Sequence, residues 1–188
     1  MTNLLPLTGP VEEPVTIAEA RAYLRLDGDD DNAVVAACIM AARQACESYT
    51  GRSLISQTWQ LYLDRWPEGA IILPRPPLQS VTSITVYDAD GGATALDLGD
   101  FWVDSAAAPA RLLAKSATVL LQPGRRLGGI EITYDAGYGD SWNDVPQALR
   151  QGILMAVANF YEHRAADSAA GLPAPIAALW QPYRVVRL

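Results

Sequence analysis

Apolar residues recur at helical spacing toward both ends of the chain and alternate at period two between them. Near the start, Thr16 followed by Glu19 has the form of a capping box, and Ile17, Ala20, Tyr23 and Leu24 share one face. The run Asp27-Gly-Asp-Asp-Asp31 breaks that helix. A second helix is predicted from about Asn32 to Thr50, with Val35, Cys38, Ile39, Ala42, Cys46 and Tyr49 on one stripe and Gly51 placed to stop it. From 53 to 140 the period changes. Trp59, Leu61 and Leu63 alternate with Thr58, Gln60 and Tyr62. Further strands are predicted at Ile71–Leu73, Thr82–Tyr87, Ala95–Leu98, Phe101–Asp104, Arg111–Ala114, Thr118–Leu121 and Ile130–Tyr134. So many short strands at such spacing suggest a small antiparallel sandwich or barrel.

The helical period returns at Val145. Pro146 suits a first turn, Asn143 or Asp144 can cap, and Leu149, Ile153, Val157, Phe160 and Tyr161 form the buried stripe. Ala165–Gly171 reads as a small-residue linker and Pro173–Tyr183 as a short helix. The predicted class is α+β: a small helical bundle with an antiparallel β-lobe inserted. Residues 1–52 form an N-terminal helical part, 53–140 the β-lobe, 141–172 the completing helix and linker, and 173–188 a C-terminal arm. Met1–Pro10 reads as a short apolar leader with no charge, and no apolar run reaches membrane-spanning length.

Charge narrows the function classes. The 188 residues carry a net charge of −7, and of the three stretches 1–52, 53–140 and 141–188 only the last holds more bases than acids. An acidic body argues against grip on a phosphate backbone, which needs clustered Lys and Arg. Cys38 and Cys46 lie on one helix, roughly 12 Å apart at 1.5 Å per residue. That is too far for a disulfide, and buried reduced thiols are expected.

Candidate chemistry is sparse. Asp27, Asp29 and Asp31 have the first spacings of a calcium loop, but Asn32 and Cys38 stand where it needs Gly and Glu. His163 sits near a helix end, where a cation relaxes the dipole, and has no nucleophile context. One His and two helix-bound Cys make no zinc site. The glycines at 128, 129, 137 and 139 fit no phosphate cradle. No catalytic, cofactor-binding or metal-binding residue is therefore assigned. Asp100, Asp104, Glu131 and Asp135, with Trp102 in the same lobe, leave one alternative, a glycan-binding or glycan-cleaving module.

The last thirteen residues, Ile176–Leu188, are apolar, aromatic and basic, without an acidic residue. Leaving such surface in water is unfavourable by about 25 cal/mol per Å², so the segment is expected to be docked. Leu179, Trp180, Pro182, Tyr183, Arg184, Val185, Val186, Arg187 and Leu188 are assigned as an arm that grips a partner, and removing Ile176–Leu188 is expected to leave the subunit folded.

Taken in order, several stretches resemble the head–tail connector, or adaptor, proteins of long-tailed phages and phage-derived particles. They are Pro14–Leu24, Ala41–Ser53 with its Tyr-Thr-Gly-Arg, Leu73-Pro-Arg-Pro-Pro leading into Ser80-Val-Thr-Ser-Ile-Thr-Val, and Ile132-Thr-Tyr-Asp-Ala-Gly-Tyr-Gly139. Val145-Pro-Gln-Ala-Leu-Arg150, Tyr161, Arg164 and Pro182-Tyr-Arg-Val-Val-Arg187 follow. The chain looks most like the subgroup with a β-lobe between its helices, of phage or gene-transfer-agent type. The resemblance implies a non-enzymatic subunit made in the bacterial cytoplasm. It implies a homo-oligomeric ring, usually of about twelve copies, beneath the portal protein at the head–tail interface of the virion. There the ring extends the DNA channel without binding DNA specifically and offers a surface to the stopper or tail-completion protein. The C-terminal segment reaches toward the portal.

Overall fold

The computed structural model describes residues 2–163 and 172–185. Its class is α+β, and the chain folds into two compact units. The residues up to Pro10 belong with Ser56–Tyr138, and Val11–Ile55 belong with the residues from Gly139 onward. The first ten residues, read from sequence as a leader of the helical part, thus join the β unit.

The β unit holds two antiparallel sheets. Five strands run in the order β1 (Thr2–Thr8), β2 (Gln57–Leu63), β8 (Ile130–Ala136), β4 (Leu78–Tyr87) and β5 (Ala93–Ala95). Three more run in the order β3 (Ile71–Leu73), β7 (Ala110–Ala114) and β6 (Phe101–Asp104). Strict alternation explains β2: Trp59, Leu61 and Leu63 point into the core while Thr58, Gln60 and Tyr62 stay half-exposed. Side chains from both sheets share that core, including Leu61, Leu73, Ile84, Phe101, Leu112, Ile132 and Tyr134. The buried Tyr134 hydroxyl keeps a partner by donating to the Pro74 carbonyl at 2.9 Å.

Three sequence expectations fail here for identifiable reasons. β1 has no internal period to announce it. It exists because Asn3, Leu4 and Leu5 pair with Tyr62, Leu61 and Gln60, some fifty-odd residues away in sequence. Thr118–Leu121 is not a strand; its Leu121 carbonyl accepts from the Trp66 indole N–H at 2.8 Å instead of from a neighbouring strand. Ala95–Leu98 ends at Ala95, because Asp97 accepts the Gly99 amide at 2.8 Å and starts a 3₁₀ turn, Leu98–Asp100.

The helical unit contains α1 (Ile17–Leu24), α2 (Asn32–Thr50), α3 (Gln147–Glu162) and α4 (Ala174–Trp180). Thr16 and Glu19 form the capping box of α1 reciprocally, and Gly51 stops α2 at φ +74°. Asn143 and Asp144 do not cap α3. They lie in a 3₁₀ turn, Trp142–Asp144, capped by Ser141, and Pro146 takes the N-cap position. The core joins Val35, Ile39, Ala42 and Cys46 of α2, Leu149, Ile153, Ala156 and Val157 of α3, and Ile176 and Trp180 of α4. Both cysteines are buried and neither forms a disulfide, and burial pushes the Cys46 thiol well up.

Arg150 is the polar centre of this unit. Nearly buried, it donates to the Pro14 carbonyl at 2.9 Å and to Gln147 at 3.1 Å, pairs with Glu19, and stacks 4.4 Å from the Trp142 ring. A guanidinium has enough donors in one plane to satisfy all of these at once. Arg43 does similar work between Glu13 (2.8 Å) and Glu47 (3.0 Å).

Candidate functional site

The C-terminal arm is rooted on the end of α2. After α4, Gln181–Tyr183 forms a 3₁₀ turn that brings the chain back over Tyr49, Thr50, Gly51 and Arg52. The Tyr49 hydroxyl donates to Gln181 Oε1 at 2.6 Å, and the Arg184 guanidinium lies 5.6 Å from the Tyr49 ring centre. Arg52 Nε donates to the Tyr183 carbonyl at 2.5 Å, and the Val185 amide donates to the Thr50 carbonyl at 2.7 Å. Thr50 is free to accept there because a helix leaves its last carbonyls without intrahelical donors.

Gly51 serves twice in this cradle. Its left-handed backbone ends α2, and a Cβ on it would lie 3.4 Å from Val185 Cβ. A side chain at that position would strain the turn, with its Cβ in contact with the arm. Trp180 then closes the root from inside. It is fully buried, its indole N–H donates to the Leu149 carbonyl at 3.3 Å, and its ring meets Tyr49 at 6.0 Å. It fits because residue 152 is glycine; any Cβ there would overlap the indole.

These contacts divide the assigned arm. Trp180, assigned from sequence as a gripping residue, is buried in its own subunit with no surface to offer. Leu179 is half-buried. Pro182 and Arg184 are exposed, and Tyr183 and Val185 are half-buried. Val186, Arg187 and Leu188 lie outside the described residues, as do Arg164 and the linker 165–171. The expectation that Ile176–Leu188 can be removed without harm is corrected too, since Ile176 and Trp180 are core side chains.

The other candidates are engaged in local structure. Asp104 accepts Arg111 at 2.5 and 3.1 Å, and that guanidinium holds its carboxyl below the usual range. Asp135 accepts the Thr58 hydroxyl at 2.7 Å, with Ser80 and Thr82 at 3.1 and 3.3 Å. Glu131 accepts Tyr87 at 2.9 Å and Gln60 at 3.2 Å. Asp100 ends the 3₁₀ turn before β6 and Asp104 lies in the three-stranded sheet, whereas Glu131 and Asp135 lie in the five-stranded one. Four residues along a strand separate Glu131 from Asp135 by about 13 Å, beyond the roughly 6.5–9.5 Å that a carboxylate pair spans around a glycosidic bond. In the acidic turn, Asp29 is held by Arg21 and Asn32, and Asp31 accepts the Tyr161 hydroxyl. His163 Nδ1 lies 2.9 Å from the Asn159 carbonyl at the end of α3.

With no pair of groups poised for chemistry among these, relatives decide the identification. The family model of the head completion protein matches residues 13–172. The chain belongs to that family. Similar solved structures include chains of gene transfer agent (GTA) particles. A chain of the neck of an empty GTA particle, computed with C6 symmetry, is 31% identical with a TM-score of 0.84, covering 99% of this chain and 97% of that one. A chain of the virion of a native GTA particle gives 31% and 0.82, with coverages of 98% and 96%. One from the neck of a native GTA particle, computed with C12 symmetry, gives 31% and 0.81, covering 99% and 97%. No curated protein matches. The family model stops at residue 172, short of the arm root, whereas the neck structures extend across it.

Sequence reasoning missed two parts of the site. Tyr49-Thr50-Gly51-Arg52 was visible as a helix stop followed by a cation, but its role as a cradle needs the return of residue 185. Arg150 carried no local signal, since its partners come from residues 14 and 19.

Proposed function

We propose that this chain is the head–tail adaptor subunit of a phage-like particle, lying in the neck as a ring of about twelve copies below the portal. The observation that carries the reading is full-length similarity, at 31% identity, to chains of a particle neck computed with C12 and C6 symmetry. The ring extends the DNA channel and presents a surface to the stopper. An acidic body suits a conduit, because it repels the passing polyanion instead of holding it.

The arm from Pro182 onward binds the portal. Its root is fastened by Arg52, Thr50 and Tyr49, so the arm leaves each subunit from a fixed point. Fewer conformations are then lost on docking, which favours affinity. Tyr183, Arg184 and Arg187 are of the residue types that dominate interface energetics.

Truncation separates root from grip. A chain ending at Tyr183 keeps Trp180 and is expected to fold with an unchanged circular dichroism spectrum, yet to lose the portal in a pull-down. Undiminished capture by that truncated chain overturns the assignment of the arm. Removal of 176–188 tests a different thing, because it takes two core side chains with it.

A further inference from the structure

The connection from β7 to β8, residues 115–129, has the same chemistry as the arm in a different place. It carries Lys115, Arg125 and Arg126 and no acidic residue, in a chain of net charge −7. Its backbone is pinned: Tyr87 O accepts the Gly124 amide at 2.9 Å, and Asp64 accepts the Gly128 amide at 2.9 Å. Trp66 fastens Leu121 in between. Despite this fixation it displays Val119 at 96%, Leu127 at 74% and Leu121 at 46% exposure. Loops are normally written in polar turn-forming residues, and holding apolar side chains in water is unfavourable. The carboxylate of the adjoining Asp88 is taken by the Asp90 and Gly92 amides at 2.9 and 2.7 Å. The loop is therefore a fixed, apolar and cationic display.

A surface of complementary character lies on the helical unit. In the turn between α1 and α2, Asp29 and Asp31 are engaged, whereas Asp27 and Asp30 are exposed and form no ion pair among the described residues. Tyr23, just ahead of them, is 43% exposed. A closed ring of identical subunits requires two different patches on each copy that fit one another.

We propose that loop 115–129 of one copy docks on the Tyr23–Asp30 corner of the next copy in the ring. Arg125 and Arg126 face Asp27 and Asp30, and Val119 and Leu127 cover Tyr23. This rests on the ring reading above, and its partner is a second copy of this chain.

A charge swap tests it, with rings formed on the cognate portal and counted by negative-stain microscopy. Like charges brought together at an interface are strongly unfavourable. Arg125→Glu/Arg126→Glu is expected to cut the fraction of ringed portals by at least about tenfold, Asp27→Arg/Asp30→Arg to do the same, and all four changes together to restore rings. Absence of rings from the unaltered protein overturns both readings. Rings that persist in either double variant overturn this surface alone, including the case where rings persist but the stopper no longer attaches, which would make the stopper the occupant. Failure of the fourfold variant to recover overturns the pairing. Independently, a Leu127→Cys/Tyr23→Cys chain is expected to oxidise into a ladder of cross-linked subunits in assembled rings; a result of monomers only argues against the contact.

Discussion

Trp180 and Gly152 behave as one feature at the scale of single residues. The indole fills the space that a side chain on α3 would take, and its N–H keeps a carbonyl partner, so neither packing nor polarity is left unsatisfied. Trp180→Ala should cost about 3–5 kcal/mol, the range for removing a large buried aromatic. Chemical denaturation measures this, and a loss below about 1 kcal/mol would show that the arm root is not part of the core. Arg52→Ala is expected to act differently. It removes one hydrogen bond to the Tyr183 carbonyl, worth about 1–2 kcal/mol, and should weaken portal binding while leaving the helices intact. Equal binding by that variant contradicts the fixed departure point.

Glu19 supplies a pH signature at the same scale. Desolvation raises its pKa, but hydrogen bonds from Thr16 and the pairing with Arg150 outweigh it, leaving the carboxyl below its ordinary 4.5. A group depressed on folding contributes stability that is complete above the unfolded value and is lost as pH falls through the folded one. Glu19→Gln should therefore be less stable than the parent near neutral pH, with the gap narrowing below about pH 4.5. A gap that stays constant down to about pH 3 would remove the charge from the explanation. Stability curves in urea at several pH values decide it.

Among the elements, β1 has the largest consequence for behaviour. It covers the edge of β2, and its own outer side carries no charge, with Leu5 and Leu7 about half exposed at 52% and 54%. Uncovered sheet edges invite pairing with other chains. Deleting residues 1–10 should therefore increase self-association relative to the full chain, as read by sedimentation velocity. Identical sedimentation of the two would mean that β2 protects its edge by other means. The end of α2 is the second such element: a helix stop that doubles as the arm's mooring, because unused carbonyls, a glycine and a following arginine all meet there.

For the whole molecule, the governing quantity is the unevenness of charge. Acidic residues dominate the body, and the arm and the 115–129 loop are cationic and apolar. A protein so arranged should make specific protein contacts at those two places and leave nucleic acid alone. Electrophoretic mobility of duplex DNA should be unaffected by the protein at about 0.15 M salt, and retention of the DNA would contradict a conduit with a repelling surface. The family assignment belongs at this scale as well. No motif carries it; an ordered set of stretches along nearly all the chain does, and neck structures of gene transfer agents match it across that length.

Legibility from sequence followed a physical line. α2 was readable to its last residue because its stripe, its length and Gly51 are all local to it. The interior strands were readable where alternation was strict, as at Trp59, Leu61 and Leu63. β1 was not, because a strand whose sole partner is fifty-odd residues away leaves no periodic trace. The basic, greasy end-segment was expected to leave water because its composition alone makes exposure unfavourable, and Ile176 and Trp180 do so within the subunit. Where it would be buried was a question of distance in space. Only the tertiary structure could turn Trp180 inward onto Gly152, bring Val185 to Thr50, and gather Pro14, Glu19 and Trp142 around Arg150. Composition and period set which side chains must leave water; the folded chain alone sets which neighbours receive them.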